Sequence, residues 1–501
     1  MQVELTERGY LHIPAAMAGR FPAGTAMVLV RNDELWLLPV SHPGAGGLLL
    51  KIRNASGDRS LLVHEFLPPD VVPGPREAVW DETQHAWRIP LAANKEKIPR
   101  RTLRPQPLGV FPGLAGFFLL PWIPDADTLT APLLQGRLPE TVPAAWRFFA
   151  AAVNGASEEE VLRLLPDGPE GCYNRFVLTG REDDYRRARE AVDGELAILL
   201  DAVAWRLGLR GAPPEEGGDG EMRAFLLATR AYACFQEKAW REGLERLQAA
   251  AAAARDVSPV FCARLLAEWA ATRQLVDGPQ EDVAAAYRDA LALLQPTPFR
   301  EAEGELWFQF GTVQQGMGQF RQAIQSYYEA LKRYRKADHP EAYALAHMNL
   351  AIAYLSMPGD ARGKQLRTAV AIQSLREALT VFQKETHPEY WASATVNLAN
   401  ALQHVPSSHP EDNLWEAVAL YEDVLTVRRE ADDPLAYARV LANQGNALAH
   451  LGAFSRAVPR LETARRLFQT YGEAAAAAAV EDVLADIAQK QRERGMAGEC
   501  P

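Results

Sequence analysis

The sequence predicts a multidomain α+β chain: a small N-terminal all-β domain followed by an all-α solenoid of antiparallel helix pairs. Three observations predict it. First, residues 304–470 repeat one pattern four times: Asn397-Leu398-Ala399-Asn400 answers Asn349-Leu350-Ala351-Ile352 at an offset of 48, and Tyr421, Leu375 and Tyr327 lead a second shared element at offsets of 46 and 48. Self-similarity near this period marks stacked helix pairs, each unable to bury its apolar face alone. Second, short β-rich runs separated by turn signals fill residues 1–91. Third, closely spaced prolines between 99 and 143 forbid a long helix in the intervening stretch.

Composition narrows the class. At 501 residues, 48% hydrophobic and 23% charged, the chain is folded and too long for one ordinary core. Its net charge of −11 argues against a general nucleic-acid grip, which rests on clustered lysine and arginine. Cys172, Cys234, Cys262 and Cys500 lie far apart without metal-ligand spacing, as expected of structural thiols in a reducing compartment. Met1 to Leu5 lacks the basic and apolar regions of a signal peptide. The most apolar run, Leu114 to Pro124, is too short to span a bilayer and is broken by prolines, and it reads as core or docking surface. A cytoplasmic location follows as the expectation, and high Arg over Lys with abundant Ala and Pro suggests a bacterial source.

In the N-terminal domain (1–91), Val3 to Thr6, Met27 to Val30, Leu35 to Leu38, Leu48 to Ile52, Ser60 to Val63, Ala78 to Trp80 and Ala86 to Ile89 are strand candidates, which predicts a small barrel or sandwich. The run Leu5-Thr6-Glu7-Arg8-Gly9-Tyr10-Leu11-His12-Ile13-Pro14, the short helix Ala15 to Arg20 and Pro22-Ala23-Gly24-Thr25 resemble the swapped-hairpin (AbrB-type) transition-state regulators of bacteria. The resemblance covers about 40 residues and implies dimerisation and DNA contact near Glu7 and Arg8. Glu7 is acidic where that family is commonly basic, which argues against the DNA contact.

Residues 92–142 read as a proline-rich connector with a basic cluster (Lys95, Lys97, Arg100, Arg101, Arg104) as a solvated tether. Residues 143–207 read as helical, with helices at 144–153, 158–165 and a long one over 183–207. Residues 208–220, rich in Gly, Pro and Glu, read as a flexible linker and the best boundary in the chain. Helix pairs are expected over 221–473: 221–236 with 239–255, 259–275 with 281–294, then the four clear copies, about six pairs in all. The alanine-rich segment from Ala474 is expected to cap the stack, with the tail to 501 frayed.

The repeat needs small residues where antiparallel helices cross and large ones between neighbouring pairs. Phe310, Gly311, Gly318, Ala323, Tyr327 and Ala330 supply them in the first copy, Leu350, Ala351, Ala371, Leu375 and Ala378 in the second. Leu398, Ala399, Ala417, Tyr421 and Val424 supply them in the third, Gly445, Leu448, Ala457, Leu461 and Ala464 in the fourth. These residues resemble the tetratricopeptide repeat (TPR) family. The long form, with His339-Pro340, His387-Pro388 and Asp433-Pro434 before each next first helix, looks like the repeats of kinesin light chains. The long period implies second helices that run on to those prolines.

Such stacks place the first helices on a concave wall. Asn349, Asn397 and Asn443 recur at one wall position, with Gln309 equivalent in the first copy. A carboxamide carries donor and acceptor and can pair with the backbone of an extended peptide whatever its side chains; the resemblance implies this role. Asn400, Gln403, His404, Asn446 and His450 follow on the same wall, with Arg439 one turn before Asn443. The competing reading is that the asparagines tie adjacent helices together. Where some family members hold a terminal carboxylate with lysine or arginine, this chain has Ser356, His404 and His450, so a strict carboxylate clamp is not expected. A protonated His404 or His450 would make acid binding pH-dependent.

No phosphate loop, His-Glu-x-x-His helix or Gly-x-Ser-x-Gly elbow is present in the sequence, so neither a catalytic residue, a cofactor nor a metal is expected. The reading is a non-enzymatic scaffold or adaptor that binds a client peptide or helix in the groove, with residues 1–91 docking a second partner or a second copy. Assembly of a protein complex is one setting. The alternative is a transcription regulator whose β domain dimerises on DNA while the solenoid senses a peptide, resting on Arg8 and Arg20.

Overall fold

The structure, a computed structural model, describes residues 1–6, 9–31, 34–40, 47–54, 57–67, 71, 74–91, 106–123, 126–214, 218–405 and 409–497. The basic cluster at 95–104, Glu7, Arg8 and Cys500 lie outside the described residues. The chain divides into two compact units, Met1–Thr102 and Leu103–Pro501.

The first unit holds β1 (Gln2–Leu5), β2 (Tyr10–Ile13), a one-turn helix α1 (Ala15–Ala18), β3 (Thr25–Arg31), β4 (Glu34–Pro39), β5 (Leu48–Leu49), β6 (Lys51–Ile52), β7 (Arg59–Leu62), β8 (Gly74–Glu77), β9 (Val79–Asp81) and β10 (Ala86–Pro90). They form two antiparallel sheets, ordered β6-β7-β2-β1-β8 and β5-β3-β4-β10-β9. Alternation places Val3, Leu11, Ile13 and Leu61 of one sheet and Val28, Leu35, Leu37 and Ile89 of the other in a single core. The edge strands are continuous in sequence at both seams. Buried Leu50 joins β5 to β6, and buried Ala78 joins β8 to β9. The Met1 ammonium donates to the Ala78 carbonyl at 2.7 Å, and the Ala78 amide donates to the Met1 carbonyl. Chain that turns the corner at each seam closes the sheets into a small barrel and protects their edges. The hairpin of β1 and β2 takes its outer partners β8 and β7 from this same chain, so no exchange between copies is needed to complete it. β8, Gly74-Pro75-Arg76-Glu77, has no strand composition and is set by its register against β1.

The second unit opens with α2 (Ala126–Leu134), α3 (Arg147–Val153), α4 (Glu158–Leu164), α5 (Pro169–Thr179), α6 (Glu182–Ala191) and α7 (Gly194–Arg206). Six antiparallel pairs follow: α8 (Gly220–Gln236) with α9 (Trp240–Ala254), α10 (Pro259–Asp277) with α11 (Glu281–Leu294), α12 (Arg300–Gly316) with α13 (Phe320–Leu331), α14 (Pro340–Ser356) with α15 (Ala361–Leu379), α16 (Pro388–His404) with α17 (Pro410–Leu425), and α18 (Pro434–His450) with α19 (Phe454–Thr470). α20 (Ala474–Ala497) covers the last apolar face through Ala477, Val480 and Ile487. The helices of a pair cross closely, as the small residues of the repeat predict. Gly311 lies so close to Tyr327 that an added Cβ would sit 2.8 Å from its ring. Ala351 and Ala399 are fully buried at the equivalent positions.

Three details differ from the sequence reading. The second helices end at Leu331, Leu379 and Leu425, eight residues before the next first helix; the added length of the repeat is hydrogen-bonded turn, anchored by buried Tyr334 and Phe382. The expected long helix over 183–207 is two helices, parted where Gly194 takes a φ of +54°, and α5 was unread. Residues 106–123, within the stretch read as connector, are core: Leu108, Val110, Phe118 and Leu119 are buried in a cluster that continues to Val313. That cluster runs across residues 208–220, and the division into compact units falls at Thr102 instead.

Candidate functional site

First helices of successive pairs touch one another from α12 through α18. Gln309, Asn349, Asn397 and Asn443 stand at one register on them, each half-buried and followed by a buried residue. One turn on, the same faces carry Thr312, Ile352, Asn400 and Asn446, also half-buried; one turn back they carry Glu305, Leu345, Ser393 and Arg439. His404 and His450 are exposed at the C-terminal ends of α16 and α18, and Gln403 is half-buried beside His404.

Hydrogen bonding divides these residues. The Asn443 Nδ2 donates to Asn400 Oδ1 at 3.0 Å, bridging α18 to α16. The same oxygen accepts from the Tyr421 hydroxyl of α17, which itself accepts from Gln403 Nε2 at 2.6 Å. Asn400, Gln403 and Asn443 therefore belong to a tie between two repeats. Gln309 Nε2 donates to Glu305 at 2.7 Å, and Asn349 Nδ2 donates to the Leu345 carbonyl at 3.1 Å, both within their own helices. Among the described residues, the side chains of Asn397, Asn446, His404 and His450 have no hydrogen-bond partner, and Asn349 Oδ1 accepts none. Those groups are the open polar face of the wall.

Charge is sparse on this face. Arg439 lies 3.8 Å from Glu473, and Glu305 accepts from the Tyr334 hydroxyl at 3.1 Å as well as from Gln309. Partial burial, with Lys364 and His450 nearby, pushes the His404 imidazole below its ordinary range and keeps it neutral at pH 7. Burial likewise raises the Tyr421 phenol, so it stays a hydrogen-bond donor.

A second site of backbone capture went unread in the sequence. The segment 118–121 leaves a short 3-10 turn that ends at Phe117, and side chains hold it. Asn174 of α5, fully buried, accepts from the Leu119 amide at 2.9 Å and donates to the Leu119 carbonyl at 2.7 Å. Gln106 accepts from the Leu120 amide at 2.8 Å. Tyr173 donates to the Phe117 carbonyl at 3.0 Å, and Trp146 Nε1 to the Pro121 carbonyl at 2.9 Å. Carboxamide recognition of an extended chain is thus realised within this molecule, at a site filled by its own backbone. Only the proline content of 105–124 could have signalled it. Next to it, Arg206 stacks on Phe225 and Tyr232 and donates to Thr229, while Tyr232 donates to Glu268. Burial raises the Glu268 carboxyl.

Among the described residues, no group of three or more His, Cys, Asp and Glu could hold a metal, and no helix is long and apolar enough to cross a membrane. Of the two arginines on which the DNA reading rests, Arg20 stacks 4.4 Å above the Trp80 ring, and Arg8 lies outside the described residues.

No family profile and no curated protein matches the chain. Solved structures to which it is similar include BtubC (BKLC) from P. vanneervenii, 19% identical over 47% of this chain and 90% of that one, with a TM-score of 0.35. The apo form of RapI is 12% identical over 69% of this chain and 97% of its own, with a TM-score of 0.42. YrrB, described as a TPR protein with an unusual peptide-binding site, is 18% identical over 41% of this chain and 86% of its own, with a TM-score of 0.29.

Proposed function

We propose that this protein is a non-enzymatic interaction scaffold that captures a peptide or helix of a client protein on the wall formed by α12, α14, α16 and α18. The observation that supports this reading is the pair of unfilled carboxamides at one register of adjacent first helices. Asn397 is wholly uncommitted, and Asn349 has its oxygen open. Half-buried groups of this kind lose hydration without gaining a partner inside the molecule, and a client backbone would restore both.

The β barrel is the second docking element of the proposal. Its edge strands β5 and β6 are only two residues long each, so it would dock through a face. The outer face of the β5-β3-β4 sheet offers Leu49, Met27 and Leu29, which are 62%, 45% and 48% exposed.

The test is affinity capture from native lysate with the intact chain and with Asn349→Ala/Asn397→Ala. A protein retained by the first and lost from the second, and then shown to bind directly once purified, would establish groove capture and name the client. Partners indifferent to the double change would sink the groove reading and direct attention to residues 1–91.

A further inference from the structure

The groove wall departs from the rest of the molecular surface in one respect, its charge. Five positions on one face of each first helix, from four residues before the shared register to six after it, give twenty wall positions, and only Glu305 and Arg439 among them are ionisable. At the chain's overall 23% charged content, about five of them would be charged were this ordinary solvated surface. Both charged residues sit in the N-terminal turns of their helices, and both are engaged: Glu305 accepts from Gln309 and Tyr334, and Arg439 faces Glu473. Beyond these positions the rim carries the exposed Lys364 and the exposed imidazoles of His404 and His450.

The neutral wall is not uniform. On α14 it is apolar, with Leu345, Met348, Ile352 and Leu355 all half-exposed around Asn349. On α16 and α18 it is carboxamide, with Asn397, Asn400, Gln403 and Asn446. A client side chain bearing charge would shed water against this wall and meet no counter-charge to offset the loss. An uncharged segment incurs no such cost. Its apolar residues would cover the α14 stripe, and its backbone or neutral polar side chains would satisfy the open amides of α16 and α18.

We infer that the groove selects an uncharged, part-apolar segment of its partner and rejects acidic and basic segments alike. This rests on the groove reading above and specifies the client's chemistry. Selectivity of this kind works mainly by exclusion, because the wall offers a charged competitor no compensation.

Short random peptides displayed on phage and selected on the intact chain provide the test, with groove binders defined as those lost on Asn397→Ala. Expected are groove binders in which Asp, Glu, Lys and Arg are depleted at least roughly threefold at the positions that binding requires. Selection on Asn446→Lys, and independently on Thr312→Lys, should restore acidic residues at one such position. Groove binders that carry a fixed acidic or basic residue on the intact chain would overturn this inference and leave the groove reading standing. If no selected peptide depends on Asn397, the groove reading itself fails and the inference falls with it. Matching far-UV circular dichroism and thermal unfolding of each variant and the intact chain show that the folds compared are the same.

Discussion

The carboxamide of Asn443 donates to that of Asn400 across 3.0 Å, and the Asn400 oxygen also accepts the Tyr421 hydroxyl. Two of the recurring polar residues therefore tie the stack together, while Asn397, one turn before Asn400 on the same face, is uncommitted. The two roles separate by measurement. Asn400→Ala leaves Asn443 Nδ2 and the Tyr421 hydroxyl without their acceptor and should cost about 1–3 kcal/mol in urea unfolding. Asn397→Ala should change stability by less than about 0.5 kcal/mol and weaken client binding. The reverse pattern would assign Asn397 to the stack.

Asn174 holds both the amide and the carbonyl of Leu119 inside a core with no access to water. Asn174→Leu removes the donor and the acceptor together and leaves two buried backbone groups unpaired. A loss of about 3 kcal/mol is expected, read as a lower urea midpoint at unchanged slope. Client affinity at the α14 to α18 wall should be unaffected, since α5 contributes nothing to it. A variant as stable as the parent would mean that the 117–121 segment finds other partners.

The contrast between these residues explains what the sequence could show. The period, the pairing order and the small residues at Gly311, Ala351 and Ala399 were legible because packing geometry repeats and so leaves a repeating trace. The wall register of Asn349, Asn397 and Asn443 was legible for the same reason. Their bonding was not, because a lateral bond such as Asn443 to Asn400 joins positions 43 residues apart and follows no period. The apolar run from Leu114 was legible as core or docking surface, but the connector reading of the stretch around it took prolines as a sign of exposure; prolines exclude helix but do not exclude burial, once side chains such as Asn174 and Trp146 satisfy the backbone. The second helices are shorter than the period implies because a period counts residues and not their conformation: the chain turns Tyr334 and Phe382 inward without helix before each proline.

Close helix crossings make a further prediction. A Cβ added at Gly445 would lie 2.6 Å from Leu461 Cγ, and one at Gly311 would lie 2.8 Å from the Tyr327 ring. Alanine is the better helix former by about 1 kcal/mol, so propensity alone predicts stabilisation. Overpacking of a closed crossing costs about 1–3 kcal/mol. At Gly311 the neighbour is a buried ring with its hydroxyl bonded to Gln315, and it has little room to give. Gly311→Ala and Gly445→Ala should therefore each lower the unfolding temperature, and a rise at either site would show that the crossing relaxes freely.

Acid sensitivity follows from His347 on α14. Burial depresses its imidazole below the ordinary 6.5, opposed by Glu377 of α15 and assisted by Lys336 of the preceding turn. Tyr343 lies edge-on to the ring at 4.5 Å. The sign follows from proton uptake: as pH falls through 6.5 the unfolded chain takes up a proton that the folded chain still refuses, so the folded state loses stability. The loss continues until the folded imidazole itself protonates, at about 1.4 kcal/mol per pH unit between the two values. Above pH 7.5 both forms are neutral and the group contributes nothing to the slope. Thermal unfolding of the parent should therefore shift downward between pH 7.5 and 5.5 by more than that of His347→Gln, which has no proton to take up. Parallel curves for the two proteins over that window would show that the buried imidazole titrates as it does in water.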